Sequence, residues 1–241
     1  MAMRALAAAM AIGALALAAP GAARQDEPAC TRIVIDPGHD SMANSDTEPI
    51  GPGSRTRKIK DGGGTRGVET RTPEHVVTLQ ISRRLRKTLL ARGYCVTMTR
   101  ERATGRSMGN VARARIANRA EAALFVRIHA DGSTNRAQHG SSMLYPALRK
   151  GWTDDVLPES KAAARLLQAE LVRRIGSRDN GIVERSDLTG FNWSDVPVAL
   201  AEIGFMTNAA EDRRLNDAKH QQRAALGLAR GIERFAPLPP G

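Results

Sequence analysis

The chain has 241 residues, a formal net charge of +11 and only 3% aromatic side chains. That length suits one domain with a real hydrophobic core. The scarcity of aromatic rings argues against a stacking platform for nucleic acid, so the Lys/Arg excess points to other polyanions or to a solvated basic surface.

Met1 to Ala23 carries one charge, Arg4, then an apolar run from Ala5 to Ala19 and the small residues of "APGAAR". This is the pattern of a secretory signal peptide, with cleavage after Ala23 or Ala18. The run is short for a transmembrane span. Cys30 lies beyond it, behind the polar "RQDEP", which argues against lipidation. Loss of Arg4 leaves 11 − 1 = +10 on the mature chain. The expected product is secreted or periplasmic, associated with the cell wall, monomeric, without nucleic-acid partners and without stable membrane insertion.

The first strand is the aliphatic run Ile33-Val34-Ile35, stopped by Pro37-Gly38. His39 therefore stands on a turn just past a core strand. By itself a turn histidine needs no role beyond contact with water. A polar insertion from Asp40 to Thr72 follows, containing "GPGSRTRKIKDGGGTRG". Loops of this length in compact domains are usually functional or mobile.

"TPEHVVTLQISRRLRKTLLARG" predicts a helix, with Thr72 as N-cap and Pro73 in its first position. Val77, Ile81, Leu85 and Leu89 share one face, and Arg92-Gly93 ends it. The strand "CVTMTR" comes next. Ser107 then caps a second helix running through Asn118, with Met108, Val111, Ala112 and Ile116 inward. "ALFVRIHA" and "SSMLY" read as strands, and Glu159 to Ile175 as a helix. A loop, "ERSDLTGFNWSDV", offers Arg185, Asp187, Phe191 and Trp193 as candidate substrate contacts, with packing an equal alternative for Trp193. "PVALAEIGF" is the last strand. A helix from about Ala209 to Phe235 precedes the tail "APLPPG".

Alternating strands and helices predict a single α/β domain, a mainly parallel twisted sheet flanked by helices. Ligands of such sheets gather outside the carboxyl ends of the strands. His39, His129 at the end of "ALFVRIHA" and Glu202 at the end of "PVALAEIGF" then share one sheet edge. Glu74, in the first turn of its helix, can return to that edge, although a helix-start acid is also favoured by the dipole alone. Two imidazoles and a carboxylate make a catalytic zinc set, and a further carboxylate can serve as base. Glu202 is the most telling of these, because it interrupts an apolar strand where an acid is costly without a partner or a task. His75, His139 and His220 are expected outside the set. Asp36 and Asp131 are expected in backbone or turn roles.

These residues resemble the zinc-dependent N-acetylmuramoyl-L-alanine amidases of the amidase-3 type, over about Arg32 to Phe235. "IDPGH" resembles the first-ligand motif, "PEHVVTLQISRRL" the helix that starts with the second, "LFVRIHAD" the third, and "PVALAEIGFMTNAAEDRRL" the strand and turn with the catalytic glutamate. The resemblance implies Zn2+ held by His39, Glu74 and His129, with Glu202 as the base, and rejects Glu69 as the ligand. It implies a catalytic domain over 30–236 with a short tail at 237–241, of the single-domain mycobacterial or actinobacterial kind. The expected substrate is peptidoglycan or its muropeptides, cut between N-acetylmuramic acid and L-alanine. Two rivals remain: a zinc peptidase or deacylase acting on other wall amides, and a non-catalytic basic wall-binding protein.

Cys30 and Cys95 each stand just before the apolar body of a strand, and a helix joins those strands as a βαβ pair. Neighbouring strands are about 4.8 Å apart, within disulfide reach. A structural disulfide is therefore expected at the amino edge of the sheet, opposite the histidines.

Overall fold

The computed structural model describes residues 30–103 and 105–239. The expected signal peptide lies outside them, and the tail is described only as far as residue 239. Six strands form one sheet: β1 (Arg32–Pro37), β4 (Cys95–Met98), β5 (Leu124–Asp131), β6 (Ser141–Pro146), β7 (Asp179–Arg185) and β8 (Val198–Phe205). Their order is β4-β1-β5-β8-β6-β7. All neighbours are parallel except β6 and β8, so the sheet is mixed and mainly parallel, as expected.

Alternation along the strands divides the core in two. Ile33, Ile35, Val126 and Ile203 face α1 (Glu74–Leu90), α3 (Leu157–Ile175) and α6 (Ala218–Phe235). Val34, Phe125 and Leu200 face α2 (Asn110–Arg119) and the short α4 (Thr189–Asn192). Burial on both faces is why β1, β5 and β8 are nearly unbroken apolar runs. The Cys30–Cys95 disulfide is present, with Cα atoms 5.8 Å apart, beside the Arg32–Cys95 register pair of β1 and β4.

Several elements differ from expectation. The polar insertion is not simply a loop. It contains an antiparallel pair, β2 (Asn44–Pro49) and β3 (Arg57–Asp61), whose mostly polar side chains leave no apolar alternation to read. β7 was hidden in the same way: it is a half-exposed edge strand interrupted by Gly181. Helix α1 begins one residue later than expected, because Pro73 is extended (ψ 146°) and bridges Arg66, and Thr72 provides no cap. Ser107 does not cap α2. Its N-cap position is Gly109, and the helix is turned so that Arg113, Ala114 and Ala117 are buried while Ala112 is exposed. The terminal helix is two, α5 (Ala209–Leu215) and α6, separated where Asp217 accepts the amide of His220 and starts a new helix.

Candidate metal centre and catalytic cleft

β1 ends in Pro37-Gly38, and His39 turns the chain with φ 58°, a left-handed conformation that costs a non-glycine residue free energy. Buried arginines fix the turn. The Arg100 guanidinium donates to the carbonyls of Pro37, Gly38 and His75, and Arg113 donates to those of Pro37 and His39. Arg113 and Arg127 also hold the Asp36 carboxylate from both sides, at 2.5 and 2.8 Å. Asp36 is therefore not the backbone or turn acid expected, but the centre of a buried ion network. Burial raises its pKa, and the two arginines outweigh this and hold it well below the usual carboxylate range.

Three side chains converge beyond this turn. His39 Nε2 lies 3.3 Å from Glu74 Oε1, and His129 Nδ1 lies 3.0 Å from the same oxygen. One donor atom from each of His39, Glu74 and His129 falls within 4.8 Å of the others, a group that could hold a metal ion. The Glu74 carboxylate is aimed by the amides of Thr65 and Ala130, at 2.9 and 3.2 Å. Two glycines make room. A Cβ on Gly38 would sit 2.4 Å from His129 Cε1, and one on Gly64 would sit 2.8 Å from both Glu74 Oε2 and His39 Cδ2.

Electrostatics at the cluster favour a cation. Burial opposes protonation of His39, yet its hydrogen bonds to Asp61 and Glu74 win and raise its pKa to about 10. Burial likewise works against Glu74, but hydrogen bonds to His129 and His39 hold it well below its ordinary value. Burial lowers the pKa of His129. The carboxylates thus attract positive charge to the same point where the imidazole and carboxylate donors meet. Two imidazoles and a carboxylate converging in this way are compatible with a bound metal ion.

Glu202 is paired with His129 in the β5–β8 register, on the same face of the sheet. Its Oε2 is buried without a hydrogen-bond partner. Burial, then the charges of Glu74 and Asp131, push its pKa well above the ordinary carboxylate value. A bound dication would oppose that shift. Glu202 lines a cleft of about 490 Å³ together with His39, Glu74, His129, Asp131 and Thr207. A second recess of about 200 Å³, on the side of Lys58, Asp61, Arg127 and Asp187, shares His39 and His129 with it.

The structure thus brings together all four residues singled out from the sequence. His75, His139 and His220 stand outside the cluster. Glu69 pairs with Arg213 instead. Of the four proposed substrate contacts, Phe191 is fully buried in the core. Trp193 packs under Arg115 and donates to the Pro49 carbonyl. Arg185 binds Asp187, which borders the recess. Sequence reasoning missed Asp61, whose Oδ1 lies 2.5 Å from His39 Nδ1. It is the acid of "KIKDGGG", and an isolated acid in a basic stretch was the available signal.

A family model described as N-acetylmuramoyl-L-alanine amidase matches residues 33–234. The chain is 30% identical to the N-acetylmuramoyl-L-alanine amidase Rv3717 of Mycobacterium tuberculosis, covering 84% of this chain and 85% of that one. It is 28% identical to the amidase LytC of Bacillus subtilis over 83% of its own length, but spans only 34% of LytC. The crystal structure of the amidase Ami1 from Mycobacterium smegmatis superposes with a TM-score of 0.76 at 26% identity, covering 85% of this chain and 96% of Ami1. That of the Clostridium difficile 630 amidase gives 0.68 at 26% identity, covering 86% and 96%. With a family match that spans all but the first residue of the sheet and every residue of the cleft, this chain belongs to the N-acetylmuramoyl-L-alanine amidase family.

Proposed function

We propose that the protein hydrolyses the amide bond between N-acetylmuramic acid and L-alanine in peptidoglycan, with zinc held by His39, Glu74 and His129 and with Glu202 as general base. The observation that carries this reading is the half-buried Glu202 carboxylate, whose Oε2 is buried without a hydrogen-bond partner, lining the same cleft as the three donors. When bound, the ion supplies Lewis acidity and lowers the pKa of a water to about 7. His39 and His129 reach the site through one ring nitrogen each, and the Thr65 and Ala130 amides keep Glu74 from rotating. Glu202 removes a proton from the attacking water and returns one to the departing L-alanine amine. No protein nucleophile is needed. The signal peptide at 1–23 would deliver the chain to the wall, where a formal charge of +10 favours contact with acidic polymers.

The test is mass analysis of purified muropeptide after incubation with the protein, with and without a chelator. Free stem peptide beginning at L-alanine, lost on chelation, is the expected product. Cleavage inside the peptide would select a zinc peptidase, and intact muropeptide a wall-binding protein.

A further inference from the structure

We propose that Asp61, carried by the β2–β3 hairpin, is the positioning residue for His39, and that the seating of this hairpin therefore sets how tightly the chain holds its metal ion. The inference rests on the zinc reading above and extends it to a part of the chain that supplies no ligand.

His39 has two ring nitrogens, and only one can face Glu74 and His129. Asp61 Oδ1 occupies the other side, 2.5 Å from Nδ1, and the Gly63 amide fixes that same oxygen at 2.8 Å. A carboxylate there accepts the Nδ1 proton, which makes Nε2, 3.3 Å from Glu74, the nitrogen that can give up its proton to a metal ion. Asp36, three residues before His39, is held by Arg113, Arg127 and Thr99 instead. Asp61 comes 22 residues after His39 and reaches it only because the hairpin folds back over the sheet edge.

That fold-back is fixed at several points. Glu48 of β2 accepts the amides of Asn110 and Val111, at 2.7 and 3.2 Å, so the hairpin caps α2, which has no side-chain cap of its own. The Asn110 amide group donates to Lys60 O, directly before Asp61. At the far end, Trp193 and Asn192 donate to the carbonyls of Pro49 and Ile50. The hairpin is thus docked on both α2 and the α4 segment, and Asp61 is delivered to a fixed position. An outer-sphere carboxylate supplied this way both selects the tautomer of His39 and raises its basicity as a ligand.

The experiment is zinc affinity of the full chain, measured by competition with a chromophoric chelator. Asp61→Ala is expected to weaken zinc binding about 10–100-fold, the usual effect of losing a ligand's outer partner. Asp61→Asn, which keeps shape and a hydrogen-bond acceptor but no charge, is expected in between. Amide cleavage by both variants should fall at limiting zinc and recover toward wild type at saturating zinc, a rescue that general misfolding would not give. Wild-type zinc affinity in either variant would overturn the proposal while leaving the amidase reading intact. Weakened affinity with no recovery at saturating zinc would also overturn it, since the residue would then act on more than metal retention. A wild-type chain that takes up no zinc would end both readings.

Discussion

The disulfide gives a prediction whose size follows from the chain. Cys30 and Cys95 are 65 positions apart, and the loop they close holds β1, the hairpin and α1. Chain-entropy loss in the unfolded state then amounts to roughly 4 kcal/mol at 25 °C for a loop of that size. Cys95 is exposed and Cys30 half-buried, so replacing both by Ser removes little packing and the measured change reports the bridge. For a domain of this length each kcal/mol moves the melting temperature by about 2–4 °C, which predicts a fall of about 8–16 °C. The bridge sits at the Arg32 end of β1, whereas His39 follows its other end. Seven residues at strand rise separate the two by roughly 20 Å. Scanning calorimetry of the double Cys→Ser variant, alongside zinc content and product analysis, tests both statements. A melting temperature unchanged within a degree or two would refute the entropic argument. A loss of bound zinc at temperatures where the variant remains folded would refute the separation of the two edges.

Four further outcomes are expected. Glu202→Gln should retain fold and zinc but lose about 10²–10⁴-fold in turnover, because Gln cannot accept the proton; near-normal turnover would place the base elsewhere. The His39→Ala/His129→Ala double variant should lose metal and cleavage together, and stoichiometric zinc in it would sink the ligand assignment. Gly38→Ala should weaken zinc binding with little change in far-ultraviolet circular dichroism, since its Cβ would have to displace the His129 ring from 2.4 Å; unchanged affinity would show that the ring can move freely. Asp36→Asn should cost about 3–5 kcal/mol at neutral pH by leaving two buried arginines without their anion. Because the folded pKa of Asp36 is depressed, its contribution is present above the unfolded value of about 3.9 and is lost as pH falls below it. The acid limb of wild-type stability should therefore be steeper than that of the Asn variant, and parallel limbs in urea titrations would contradict the linkage.

The four residues proposed for catalysis were legible because their positions depend on local rules. His39, His129 and Glu202 each follow or end an apolar run, and a run buried on both faces announces its own direction and its carboxyl end. Glu74 needed one more step, the return of a helix start to that edge. What stayed hidden depends on docking. β2 and β3 present charged and polar side chains, so their pairing is a backbone matter without a side-chain pattern. Asp61 could not be assigned to His39 until that pairing was known. The register of α2 differs for a related reason: the apolar residues Met108, Val111, Ala112 and Ile116 are the inward face expected from sequence, yet Arg113 is inward because it pairs with Asp36.

The same fact revises the meaning of the charge. An excess of Lys and Arg was read as a surface property, suited to contact with acidic wall polymers. Three of those residues, Arg100, Arg113 and Arg127, are buried. They neutralise Asp36 and hold the carbonyls of the turn that presents His39. Without them the left-handed backbone at His39 would have few constraints to offset its cost, and the imidazole would lose its fixed starting point. Part of the basic composition therefore supports the geometry of the cleft, and only the exposed remainder is available to attract substrate through its field. Salt separates the two contributions: screening weakens long-range attraction between exposed charges, while the buried pairs around Asp36 are far less affected.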